Sequence, residues 1–387
     1  MKKKPVEIGE IKMRASALNL PMIFATLTPN LTSLITRLHM TVVVRCTDKI
    51  VCVPELPSLR YLHVEIYGLT CCGYPQHNIT RHLCPVSLVK SQRLESLTLG
   101  SGVEVDPCVL ADLPQLAHLS VLDFTEDLFP AVCRFAGNLR SLSFKPSHAD
   151  GLDDRGVFDY WDNPRVGSTL QDIEWFDISP LSTLTRLESF SIANLPLKGF
   201  HAFPNSLTRL SMEEYSCWHP DFELGALTGL QSLHVACNRL ARLDFVSNLQ
   251  GLSHLSICTD DFMSMMINFP TRTPFAFLER MTRLETLTLA PELLSLFDVC
   301  KLTSLRVLDM TPVIGEYYFE DDEFDPFRGQ EGYDCVPWAD LSSARCPPGL
   351  GKIVCVHARL RLMRERQAKR AVLSILDSRR FLICVKL

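Results

Sequence analysis

The sequence predicts an α/β solenoid: a curved parallel sheet on the concave side, with an irregular or short-helical convex side. Three observations carry this. A core of the form Leu-x-x-Leu-x-Leu starts at Ile35, Leu59, Leu94, Leu116, Leu139, Leu187, Leu207, Leu230, Leu252, Leu284 and Leu305. Seven of the ten steps between these starts fall between 20 and 24 residues, the others being 35, 48 and 32. Chance clustering of leucine does not hold such a phase over hundreds of residues, and a fixed period of this size marks a stacked array. Within each core the apolar residues alternate, which is the period of a strand with one buried face. One such unit cannot bury its own leucines, so neighbours must stabilise each other.

The clearest pair of units is Leu227–Ile257. Leu227, Leu230, Leu233 and Val235 are followed 22 residues later by Leu249, Leu252, Leu255 and Ile257. With Asn238 and Leu240 the first copy reads Leu-x-x-Leu-x-Val-x-x-Asn-x-Leu. This resembles the leucine-rich repeat family, and the short return segments resemble its small intracellular or bacterial type. The resemblance covers most of the chain. It implies a non-catalytic scaffold that holds a protein partner on the concave sheet. An adaptor or regulatory subunit of the ubiquitin-ligase or phosphatase type is the neighbouring reading. The turn Asn is missing from most copies, a departure from the family pattern.

The domain organisation follows from where the phase starts and stops. Residues 1–33 carry no clear repeat and read as an N-terminal cap. Residues 34–311 are the solenoid, of roughly eleven to twelve repeats. Residues 312–351 form a linker with the acidic-aromatic stretch Glu316–Asp325 and Pro and Gly punctuation at Pro347–Gly349. Residues 352–387 are a basic helix or cap, with helix-forming composition over 357–378 and a short strand or docked apolar end in the final FLICVKL. The three long steps place insertions at 64–90, 150–168 and 259–277, where loops tune the choice of partner. The 48-residue step is about two periods long, so a worn repeat through Leu170, Ile173 and Trp175 is expected beside its insertion.

Composition narrows the function classes. Apolar residues make up 47% and charged residues 21% of 387, ample for a core. The net charge is −5, which points away from nucleic acid as a partner of the whole chain. Residues 352–387 hold ten Lys or Arg against two acids, a local +8 that leaves −13 on residues 1–351. That tail is the one route to a nucleic-acid or membrane-surface function. Fifteen cysteines, odd in number and without a Cys-x-x-Cys pair, read as reduced small hydrophobes in a cytoplasmic protein. No run reaches the roughly 18–20 apolar residues of a membrane span. Phosphate-loop, nucleophile-elbow and zinc-protease motifs are missing, and no histidine falls at zinc-ligand spacing, so no catalytic, cofactor or metal site is expected.

The candidate binding residues are read from the alternation. The position between the last two apolar residues of each core points to the concave face. It holds His39, His63, Thr98, Ser120, Ser143, Ser191, Ser211, His234, Ser256, Thr288 and Asp309. Hydroxyl residues there also serve simply as strand-surface residues that pair across strands. Two positions earlier lie Tyr61, His118, Arg209 and His254. Arg and Tyr are enriched where binding energy concentrates. The expected protein contacts are therefore Tyr61, His63, His118, Arg209, His234, His254 and Asp309, with Arg209, His234 and His254 foremost.

Overall fold

The computed structural model describes residues 8–16, 19–27, 32–44, 50–51, 56–68, 81–83, 92–100, 103–104, 108–122, 128–145, 176–193, 197–215, 224, 227–237, 246, 248–258, 276–289, 297–310, 339–340, 350, 352–356, 360–361, 372–377 and 381–386. The chain divides into two compact units, Met1–Leu207 and Thr208–Leu387.

In the first unit seven parallel strands lie side by side in chain order: β1 (Ile8–Ser16), β2 (Ile35–Val44), β3 (Tyr61–Gly68), β4 (Ser96–Leu99), β5 (His118–Val121), β6 (Ser141–Phe144) and β7 (Ser189–Ala193). In the second, β8 (Arg209–Tyr215), β9 (Ser232–Cys237), β10 (His254–Cys258), β11 (Thr286–Leu289), β12 (Val307–Met310), β13 (Lys352–Val356) and β14 (Val372–Asp377) are also parallel and in chain order. The last strand, β15 (Phe381–Lys386), turns back antiparallel on β14. Successive short strands whose chain returns on one side between them are the leucine-rich repeat architecture, and the fold is of that class.

Two backbone rules build each unit. On the return, a leucine N–H donates to the carbonyl of the apolar residue three before it: Leu227 to Leu224, then Leu230 to Leu227; Leu249 to Val246, then Leu252 to Leu249; Leu302 to Val299, then Leu305 to Leu302. Every third residue is thereby buried, and all of these are at most 5% exposed. At the strand the period changes from three to two, and Leu252, Leu255 and Ile257 are each 1% exposed while His254 between them is open to solvent. The second rule joins repeats. The carbonyl just before each strand accepts two N–H groups from the next repeat: Gln231 from Ser253 and His254, Ser253 from Glu285 and Thr286, and in the first unit Arg140 from Glu188 and Ser189.

The return sides are short and varied. They include α1 (Leu20–Ala25), α2 (Cys108–Ala111) and α3 (Leu128–Phe135), together with 3-10 turns such as Ser179–Thr183 and Val299–Lys301. In α3, Phe129 meets Phe144 and Phe176 edge-on with ring centroids 5.4 and 5.0 Å away. Cys133 lies in the same core, and burial pushes its thiol up to about 12, so it behaves as an apolar side chain. Cys108, Cys133, Cys258 and Cys300 are all thiols.

The structure departs from the sequence reading in three places. Ser141 and Ser189 are direct register partners, so β6 and β7 are neighbours. The 48-residue step is therefore one repeat with a long insertion, and no extra repeat strand stands between those cores. Leu170, Ile173, Trp175 and the insertion 150–168 lie outside the described residues, as do Asn238 and the acidic stretch 316–325. At the N-terminus, β1 pairs with β2 over Ile8 to Ser16, extending the sheet into a segment that carries no leucine core. At the C-terminus, the expected helix over 357–378 is instead extended at Leu360–Arg361 and Val372–Asp377, while Phe381–Lys386 is the expected strand.

Replacing Leu233, an inward residue of β9 that is 1% exposed, by Ala removes buried packing. Urea unfolding should show a loss of about 2–5 kcal/mol. A second test concerns the tie between two return segments. Glu279 accepts hydrogen bonds from the Lys301 ammonium and from the Asp298 N–H at 3.0 Å, and the Lys301 contact above all holds its carboxyl below the usual glutamate range. A depressed folded pKa gives a contribution that is present above the ordinary glutamate pKa and lost as pH falls through the folded value. The Glu279→Gln variant should accordingly show a weaker dependence of its urea midpoint on pH in the acid range than the parent chain.

Candidate protein-binding face

Parallel pairing without a register offset turns a sequence position into a column across the sheet. In the first unit Lys12, His39, His63, Thr98, Ser120, Ser143 and Ser191 are successive register partners on β1 to β7. In the second unit Ser211, His234, Ser256, Thr288 and Asp309 are successive partners on β8 to β12. From His39 to Thr288 the residues on either side of these positions are buried, so the column points away from the core. Leu62 and Val64 are buried around the half-exposed His63, as are Leu233 and Val235 around His234.

The column two residues earlier is the more exposed. His118, Arg209 and His254 are open to solvent, and Tyr61 is half-exposed. Of the seven expected contacts, the first unit gathers Tyr61 and His63 on β3, with His118 two strands away on β5. The second unit places Arg209, His234 and His254 on three adjacent strands, with Asp309 two strands beyond on β12. Adjacent strands are about 4.8 Å apart, so those three side chains span roughly 10 Å.

The polar groups on this face hold one another in place. His234 Nδ1 and the Ser256 hydroxyl share a hydrogen bond of 2.8 Å across β9 and β10, and Ser256 Oγ lies 3.6 Å from Cys258 Sγ. The Ser253 hydroxyl donates to the Gln231 carbonyl at 3.1 Å and lies 2.7 Å from His254 Nδ1. One hydroxyl has one proton, so in this arrangement His254 carries its own on Nδ1 and donates it to Ser253. In the first unit the His39 and His63 rings lie 4.1 Å apart at 39°, and the Arg37 guanidinium sits 4.4 Å above the Tyr61 ring. Burial, then the neighbouring His39, holds the His63 imidazole below the usual histidine range, with Glu65 pulling the other way.

A shallow groove opens at the entry ends of β4 to β7, lined by Glu95, Gln115, His118, Asn138, Arg140 and Arg186 among others. The Asn138 amide donates to the Pro114 carbonyl at 3.0 Å and its oxygen accepts from Arg186 at 3.1 Å, while Arg140 pairs with Glu188 at 3.7 Å. The groove brings His118 beside two arginines that belong to no expected contact set.

Two further residues escaped the sequence reading. Arg37 occupies the same column as Tyr61, His118, Arg209 and His254, a signal present in the Ile35 core. Glu65 follows His63 by two residues on β3 and so shares its face. Among the described residues no helix is long and apolar enough to cross a membrane.

No family model matches the sequence, and no curated protein matches it. Similar solved structures exist. An internalin from Listeria monocytogenes is 13% identical with a TM-score of 0.41, over 94% of this chain and 94% of that one. The LRR ectodomain of a membrane receptor kinase from Arabidopsis thaliana is 12% identical with a TM-score of 0.34, over 79% of this chain and 40% of that one. An LRR protein from Leptospira interrogans is 11% identical with a TM-score of 0.27, over 78% and 83%. The assignment of the fold rests on the strand register and leucine turns described above.

The Arg37–Tyr61 contact is testable by itself. A double-mutant cycle of Arg37→Ala and Tyr61→Ala, followed by urea unfolding, should return a coupling of about 0.5–1 kcal/mol. A coupling indistinguishable from zero would mean that the two side chains are merely neighbours.

Proposed function

We propose that this leucine-rich repeat chain is a non-catalytic scaffold of the cytoplasm that binds a protein partner on the open face of its parallel strands. The observation that supports it most is the separation of roles along β2 to β12. The inward residues described there are buried and fix the fold, while the outward columns carry Arg, Tyr, His, Ser and Thr that the core does not need. Those outward residues stand on strands, so little ordering cost accompanies binding. Arg and Tyr among them are the residue types that concentrate binding energy, and the hydroxyl columns supply hydrogen bonds.

Contact is proposed through Tyr61, His63 and His118 on the first unit and Arg209, His234, His254 and Asp309 on the second. Arg209 and His254, both exposed and flanking His234, are the leading anchors of the second group. The reading of the compartment rests on the odd number and scatter of the fifteen cysteines.

The test is affinity capture from lysate with the full chain, followed by a measured affinity for the protein recovered. Arg209→Ala and His254→Ala should each weaken binding about tenfold or more, the range of a binding anchor, while Asp112→Ala, exposed on a return segment, leaves it unchanged. Retention of full affinity by both variants would remove the second unit's face from the function. Loss of capture at raised salt with nucleic acid or lipid in the eluate would favour the basic tail instead.

A further inference from the structure

We propose that His39, His63 and Glu65 form a divalent transition-metal site on the open face of the first unit, with zinc the ion that two imidazoles and one carboxylate suit. His39 and His63 are direct register partners on β2 and β3, and Glu65 lies two residues along β3 on the same face. The repeat thus brings together residues that are 24 positions apart in the chain. The donor atoms of all three lie within 4.8 Å of one another. A tetrahedral zinc with ligands at about 2.0–2.1 Å sets its donors roughly 3.4 Å apart. Small side-chain rotations close that difference.

The surroundings favour the arrangement. All three side chains are half-buried, so they are partly desolvated yet open to an ion from solution. At Gly100, directly after β4, a Cβ would lie 3.0 Å from Glu65 Cγ and 3.1 Å from its Cα, so glycine leaves the Glu65 side chain its room. Lys12 pairs with Glu10 at 3.5 Å, and Arg37 lies over Tyr61. The two imidazole rings lie 4.1 Å apart, within reach of one ion. Glu65 offsets the charge of the ion. Three protein ligands leave a position for water or for a carboxylate brought by a partner.

The experiment uses the full chain stripped with a chelator and titrated with Zn²⁺ by calorimetry, then with Co²⁺ by visible absorption. The many cysteines can bind either ion, so the readout is the difference between variants. The parent should bind one more ion than His39→Ala, with a cobalt spectrum for that ion free of sulfur charge-transfer bands. Glu65→Gln, a near-isosteric change on a half-buried side chain, should weaken that ion by at least the 10–100-fold that even an outer-shell partner of a metal contributes. Ser120→Ala, further along the same column, should bind as the parent does. Equal stoichiometry and affinity in the parent and Glu65→Gln would overturn the proposal and leave the two histidines as a metal-free stack. A difference confined to sulfur-ligated cobalt would overturn it as well. Should His39→Ala fail to fold, Glu65→Gln decides alone.

Discussion

The repeats of this structure depend on a three-residue turn in which a leucine N–H meets the carbonyl of the apolar residue three before it. Leu227 to Leu224 and Leu230 to Leu227 is one instance, and Leu302 to Val299 and Leu305 to Leu302 another. The hydrogen bond itself is worth only about 0.5–1.5 kcal/mol. Burying a leucine is worth roughly 1.5–3 kcal/mol, so the side chains supply the energy and the bond supplies the direction. When the chain reaches the strand, the spacing of buried residues drops from three to two. That change straightens the chain and exposes every second side chain.

No repeat satisfies itself. The carbonyl ahead of each strand bonds two N–H groups of the following repeat, as Arg60 does with Glu95 and Ser96, and Glu285 with Arg306 and Val307. The polar backbone of one unit is therefore a template for the next, and insertions are tolerated wherever they leave this contact intact. The 35-, 48- and 32-residue steps all obey it, since Tyr61 still pairs with Ser96, Ser141 with Ser189, and His254 with Thr286.

The outward face inherits its order from this backbone. Because each register is fixed by core leucines, residues with no structural duty are lined up at strand spacing, like beside like. Hydroxyls fall next to hydroxyls at Thr98, Ser120 and Ser143, and His39 falls next to His63. A repeat protein thus acquires clusters of chemical groups by varying one position in neighbouring units, at no cost to the core. The His234–Ser256 bond and the histidine pair with Glu65 are two outcomes of that same rule in different units.

The leucine spacing by itself determined the eleven cores, their strands and which residues face outward, because burial of an apolar stripe is a local and periodic requirement. It did not reveal β1, whose inward Ile11, Met13 and Ala15 carry no leucine signal and are placed by pairing with Leu38, Met40 and Val42. Nor did it reveal the C-terminal strands, since Arg, Leu and Ala favour a helix until neighbouring strands offer β14 its backbone partners. The columns of the face could be listed from the sequence, but Arg37, Glu65 and the groove at Arg140 and Arg186 required the fold. Only the tertiary structure decides how far two side chains on different repeats are from touching, because that distance is set by register and rotamer and not by position in the chain.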